Sequence, residues 1–298
     1  MIFGFIAAAG WGMSTIAAAK AARRAGTYIA ILLSQVLGAA ALGAASVAAR
    51  VPVLSLGAVT LAGLALAGLL QLAGWATYYR ALEAGPVGLV STIAASYAGI
   101  TAVLAVTVAR EQIGSAGGGG VALAVAGVTI AAAGSGEPAA GGDACPAPAG
   151  RARHRAGRRR RGGIPLAITS AATYGTGAFL LGRYAPHAGW LASSLVAYLT
   201  SVAALTVALP FTCRVRALWR STTTLGWAAA AGLAEAAALL AFARGGQQGE
   251  MAVTAAVSSL YPLIPLAAGL LLFREHLTGR QVLGAGCIIS GLVLIGVA

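Results

Sequence analysis

The chain has 298 residues, of which 59% are hydrophobic and only 9% charged, with a mean hydropathy of +0.85. Soluble globular domains carry about 25% charged residues, so that class is excluded. Twenty Lys and Arg against seven Asp and Glu give a net charge of +13, which in a soluble protein would suggest nucleic acid. Here most basic residues flank apolar runs, so the charge is read as orientation against a lipid bilayer and no nucleic-acid partner is expected.

Apolar runs of about 17–24 residues, each long enough to cross a hydrocarbon core as a helix, follow one another along the chain. Span one covers about Ile2–Ala19 and is followed by Lys20, Arg23 and Arg24; with no positive region before it and no small-residue cleavage site, it reads as an anchor and not a signal peptide. Four more follow at about Tyr28–Ala48, Ala58–Tyr79, Val87–Val108 and Gly117–Ala133. Residues 135–163 then break the pattern with Gly, Pro and Ala followed by "RARHRAGRRRRGG", the composition of a flexible linker. Another five spans are expected at about Ile164–Leu181, Trp190–Leu209, Leu225–Phe242, Met251–Phe273 and Val282–Val297.

The two halves are copies. An offset of 164 positions lays Gly85–Gly117 on Gly249–Gln281, superposing Tyr97 on Tyr261, Arg110-Glu111 on Arg274-Glu275, Gly120 on Gly284 and Gly127 on Gly291. It also places Gln71 on Glu235, Tyr78 on Phe242 and Arg80 on Arg244; an offset of 163 brings Trp11-Gly12 onto Tyr174-Gly175. Because each copy has an odd number of spans, the second enters the membrane from the opposite side. The expected fold is therefore an all-α polytopic membrane protein of ten transmembrane helices in two inverted five-helix repeats, residues 1–134 and 164–298, joined by the linker at 135–163. Sixteen of the 20 Lys and Arg fall on the linker's side, which the positive-inside rule would make cytoplasmic.

Charged and polar groups at mid-span are costly in lipid and usually functional. Only Glu235 among the acidic residues falls well inside a span, and its repeat partner is Gln71; a substrate or proton-coupling role and a structural hydrogen bond between helices would each keep its carboxyl from lipid. Gln71, Trp75 and Tyr78 stand at i, i+4 and i+7 on one side of a helix. Trp75 suits a cavity wall; Tyr78 and Tyr79, next to Arg80, read as interfacial aromatic belt. Tyr97 and Tyr261 occupy equivalent mid-span positions beside Ser96 in one copy and Ser258 and Ser259 in the other, and Pro262 and Pro265 free carbonyls in span nine. Trp11 and Tyr174 make a third equivalent pair. The expected substrate-binding set is Trp11, Gln71, Trp75, Tyr97, Tyr174, Glu235, Ser258, Ser259 and Tyr261. Gly120/Gly127 and Gly284/Gly291, each seven apart, suit close helix packing. Cys145, Cys213 and Cys287 show neither CxxC spacing nor paired histidines, so no metal, cofactor or disulfide framework is expected. Motifs of soluble catalysis (HExxH, GxSxG, the P-loop) are missing.

Trp11-Gly12, "YYRALEAGPVGLVSTIAASY" and "SSLYPLIPLAAGLLLFREHLTGRQVLGAGCIISGLVLIGVA" together resemble the EamA-type branch of the drug/metabolite transporter superfamily. That resemblance implies two inverted five-helix repeats and passage of small metabolites or drugs, often outward, through a central cavity. It also implies cytoplasmic termini, opposite to the charge count, so orientation stays open. Neither first span carries an intramembrane glutamate like that of the related small multidrug resistance pumps. The reading is a secondary transporter in the cell membrane with a small-molecule substrate and possible proton coupling through Glu235. Two alternatives are a membrane-embedded enzyme acting on lipid-linked substrates and a non-transporting scaffold working through its basic linker.

Overall fold

The computed structural model describes residues 2–25, 27–51, 56–110, 114–133, 151–208, 222–247, 257–258, 260–272 and 277–297. Ser259, Cys145, Cys213, His276, Glu111, Glu137, Asp143, Glu250 and Glu275 lie outside these residues, as does the first part of the linker, 135–150. The regular elements among the described residues are all helices, with no strand: α1 Ile2–Ala25, α2 Thr27–Ala48, α3 Ala58–Ala84, α4 Val87–Ala95, α5 Tyr97–Thr107, α6 Ser115–Ala133, α7 Arg151–Ala188, α8 Trp190–Ala208, α9 Thr222–Gln247, α10 Leu263–Leu271 and α11 Gly279–Val297. Seven segments, counting α4–α5 as one, are long and apolar enough to cross a bilayer; α6 and α11 hold shorter apolar stretches. Ile2, Phe5, Met13, Val59, Leu66, Leu271 and Leu283 are exposed on the outside. A hydrocarbon solvent welcomes such side chains where water would not.

Helix ends follow local chemistry. α3 runs past Arg80 through Ala81-Leu82-Glu83-Ala84, all good helix formers, and stops at Gly85-Pro86. There Arg23 donates from Nε to the Leu82 carbonyl and from Nη2 to the Gly85 carbonyl, both at 3.1 Å, capping the end of α3. α11 opens with a reciprocal capping box written in "TGRQ": the Thr278 N–H donates to Gln281 Oε1 at 3.0 Å and the Gln281 N–H to Thr278 Oγ1 at 3.3 Å. α7 starts at Arg151, so the basic half of the stretch read as linker is helical backbone and not coil.

Span four is one membrane-length segment, Val87–Thr107, but its helix is interrupted at Ser96. The Ser96 N–H donates to the Ile93 carbonyl at 3.1 Å in a tightened i→i−3 turn, and Ser96 Oγ donates to the same carbonyl at 2.7 Å. That side chain competes with the helix ladder, as serine does. In the second copy the N–H groups of Tyr261, Leu263 and Ile264 also bond i−3 carbonyls, at 3.0–3.1 Å, ahead of α10. One copy breaks with serine and the other with Pro262, yet Tyr97 and Tyr261 stand at the break in both.

The sequence offsets reappear as contacts. A methyl on Gly12 would meet Ile264 Cβ at 2.6 Å, and one on Gly175 would meet Ile100 Cβ at 3.0 Å; Gly68 lies against Ala197 as Gly232 lies against Ser34. Each pair becomes the other under offsets of 163 and 164. Across α6 and α11, a methyl on Gly120 would sit 2.7 Å from the Gly291 carbonyl oxygen, and one on Gly127 2.6 Å from that of Gly284. Early residues of one helix face late residues of the other, so the two run antiparallel with backbones in contact. Gly127→Ala is expected to force them apart, costing about 1–3 kcal/mol and several degrees of melting temperature in detergent. Gly286 has open space around it, so Gly286→Ala should melt with the unmutated chain; equal losses for both would refute the seam.

Candidate functional site

Where the copies meet, a cavity opens between α1, α3, α4, α5, α7, α9 and the turn before α10, with about 70 Å³ for the centres of water-sized molecules. A single water needs about 10–15 Å³ on that measure, so the space holds several. Its walls are Trp11, Thr15, Gly74, Trp75, Tyr78, Ala94, Tyr97, Ser170, Tyr174, Glu235 and Tyr261. Six of the nine expected residues are therefore brought together: Trp11, Trp75, Tyr97, Tyr174, Glu235 and Tyr261.

Two expected residues sit elsewhere, and a third, Ser259, is not described. Gln71 shares a helix face with Trp75 and Tyr78 but is buried outside the cavity wall. The reason is Gly177 on α7: without a side chain it admits Gln71 so closely that a methyl there would lie 2.9 Å from Gln71 Cγ. Ser258 is buried below the turn and is not part of the wall.

The belt reading of Tyr78 and Tyr79 is overturned. Both are buried in the protein, at 6% and 3% exposure. Tyr78 donates its phenol to Thr15 Oγ1 at 3.1 Å, and Thr15 Oγ1 donates to the Trp11 carbonyl at 3.0 Å. Tyr79 OH lies 3.0 Å from Ser34 Oγ. Since α3 continues beyond Arg80, these rings sit deeper than a helix ending at the arginine would place them. Thr15, Gly74, Tyr78, Ala94 and Ser170 were missed as lining residues. Thr15 was legible, being one turn from Trp11 on the same face; Ser170 gains its place by a tertiary bond, donating to the Gly74 carbonyl at 2.9 Å.

The rings form two strings related by the repeat. Trp11 meets Tyr261 edge to face, with centroids 6.0 Å apart, and lies 5.6 Å from Phe242. Its counterpart Tyr174 meets Tyr97, the counterpart of Tyr261, at 4.9 Å. Trp75 bridges Tyr174 at 5.6 Å and Tyr78, the counterpart of Phe242, at 5.8 Å. Thr101 Oγ1 donates to the Gly175 carbonyl at 2.9 Å, tying α5 to α7 beside this string.

Glu235 breaks the symmetry. Its side chain is 8% exposed, and the Trp11 indole N–H and Ser14 hydroxyl reach its carboxyl. Ser14 Oγ also lies 3.0 Å from the Ala231 carbonyl. With one proton to give, the hydroxyl favours the carboxyl when that group is ionised, because a charged acceptor makes the stronger bond. On its far side Glu235 lines a second, smaller cavity with Ser14, Ser34, Gln35, Tyr79 and Tyr198, of about 10 Å³, the size of one water. Among the described residues no cluster of His, Cys, Asp and Glu could hold a metal ion.

The model of the EamA-like transporter family matches residues 1–133 and 161–297. A solved crystal structure superposes with a TM-score of 0.63 at 18% sequence identity, over 98% of this chain and 94% of that one, which establishes likeness of fold. No curated protein sequence matches the chain.

Proposed function

From the premise that the chain belongs to the EamA-like transporter family, we propose that it is a secondary transporter of small metabolites or drugs in the cell membrane. The cavity between the two copies is the transport site, and the copies rock about it in alternating access. The observation that carries the reading is the cavity itself: an aromatic-walled space with one carboxyl among its described residues, assembled from both repeats at the break of Tyr97 and Tyr261. Ten spans in two inverted repeats supply its frame. Antiparallel α6 and α11 and the exchange of contacts under the 163 and 164 offsets support that inversion.

Glu235 is the proton carrier of this scheme. It is the acidic residue in the cavity wall, and a carboxyl between two cavities can pass a proton between them as access alternates. With outward movement as the working direction, an inward proton gradient drives the solute out. The test is a metabolite screen in proteoliposomes, with and without the protein, across an imposed pH gradient. Accumulation of at least one solute only where both protein and gradient are present is expected. Indistinguishable vesicles across the screen would overturn the reading.

A further inference from the structure

Charge in the cavity is one-sided. Among the described residues, Glu235 is the sole charged one in its wall, with no Lys, Arg or His beside it. The three basic residues of α1, the helix that supplies Trp11 and Thr15, lie elsewhere: Lys20 Nζ is 4.1 Å over the Trp227 ring, Arg23 caps α3, and Arg24 is exposed outside the wall. The carboxyl is left with neutral donors alone, the Trp11 indole and the Ser14 hydroxyl. A buried carboxylate without an internal cation makes the site hostile to anions and receptive to a positive charge from outside.

Around that carboxyl stand six aromatic rings. They meet edge to face, with interplanar angles of 69°, 73° and 83° for Trp11–Tyr261, Tyr97–Tyr174 and Trp75–Tyr174. None stacks parallel on its neighbour, so the walls form a cage of differently tilted rings and not a pair of parallel plates. Ring faces carry the negative end of the aromatic quadrupole, and cages of them hold substituted ammonium groups. The repeat offers two equivalent positions for a carboxyl, but the first-copy position is the amide Gln71, which is packed against Gly177 outside the wall. One carboxyl in the cage matches one positive charge.

We infer that the cavity takes a small organic monocation, an alkyl- or aryl-substituted ammonium group, with Glu235 as its counter-charge and the rings of both copies as its cage. The inference rests on reading this cavity as the transport site, and it adds the chemical class of what the site carries.

Three water-soluble molecules of one shape separate charge from fit: choline, the neutral 3,3-dimethylbutan-1-ol and the anion 3,3-dimethylbutanoate. Binding is measured by calorimetry on the full chain in lipid nanodiscs, with tetramethylammonium and phenyltrimethylammonium as smaller and larger cations. At least one cation is expected to bind, with choline at least about tenfold tighter than its neutral isostere and the anion undetectable, since charged and neutral isosteres differ most at desolvated cation–π sites. Glu235→Gln should weaken the cation at least about tenfold and leave the neutral isostere unchanged; Trp75→Leu, which keeps the carboxyl, should weaken it severalfold. Equal affinity for cation and neutral isostere, binding of none of the three cations, or undiminished cation binding by folded Glu235→Gln would each overturn the proposal. Flux of the bound cation is then followed in proteoliposomes. A cation that binds but is never carried refutes the transport reading and leaves the site's chemistry standing, so the two failures are distinguishable.

Discussion

Glu235→Gln is expected to abolish solute movement driven by a pH gradient, by about 100-fold or more, while solute exchange at saturating concentration continues. The substitution keeps the shape of the side chain, and the amide oxygen still accepts from the Trp11 indole and Ser14 hydroxyl that reach the carboxyl. What it removes is the group proposed above to take up and release a proton. Trading a charged acceptor for a neutral one weakens each such bond by about 1 kcal/mol. Here the neutral amide also avoids the desolvation of a buried charge, so the melting temperature should move by no more than a few degrees. Exchange needs only the cavity and its rocking, so it survives where gradient-driven flux does not. Wild-type gradient-driven rates in the folded variant would remove Glu235 from the coupling. Loss of exchange as well, at saturating solute, would make it a residue of the conduction path without a separate proton role.

Ala94→Trp is expected to lower both gradient-driven flux and exchange by at least about tenfold without unfolding the chain. Ala94 stands in the cavity wall at the end of α4, two residues before the break at Ser96. An indole there projects into space that solute would occupy, and the cavity is small enough to be filled by it. Val103 on α5 is 43% exposed on the outer surface, so Val103→Trp adds the same bulk to the lipid-facing side and serves as control. Size-exclusion profiles and melting curves of both variants should match the unmutated chain. Full flux in Ala94→Trp would mean that solute does not pass through this cavity, and would favour a scaffold over a transporter.

Much of the architecture was legible because duplication writes it twice. Offsets found by sliding the sequence on itself return as packing: Gly12 with Ile264 mirrors Gly175 with Ile100, and the glycine rows of α6 and α11 lie backbone to backbone. The aromatic and carboxyl part of the cavity wall was legible for the same reason, since Trp11 with Tyr174 and Tyr97 with Tyr261 are repeat partners and Glu235 is a charge out of place in an apolar run. Three features were hidden. The break at Ser96 depends on which carbonyl a serine side chain finds, and serine is common in helices that do not break. Tyr78 and Tyr79 were misplaced because Arg80 resembled a membrane boundary, whereas α3 carries the arginine out and ends at Gly85-Pro86. Gln71 was placed on the cavity by helical periodicity, which fixes the face of a helix but not the partner that covers it. Gly177, a hundred residues away, covers it here.

The most direct test of passage between the two copies is the reactivity of a single thiol in the cavity. Ala94→Cys, in a chain with Cys145, Cys213 and Cys287 replaced by serine, would be exposed to a membrane-impermeant maleimide from one side of sealed vesicles and then from the other. Alternating access predicts labelling from both faces, slowed from each by bound solute. Labelling from one face alone, or from neither, whatever the gradient or solute, would contradict it.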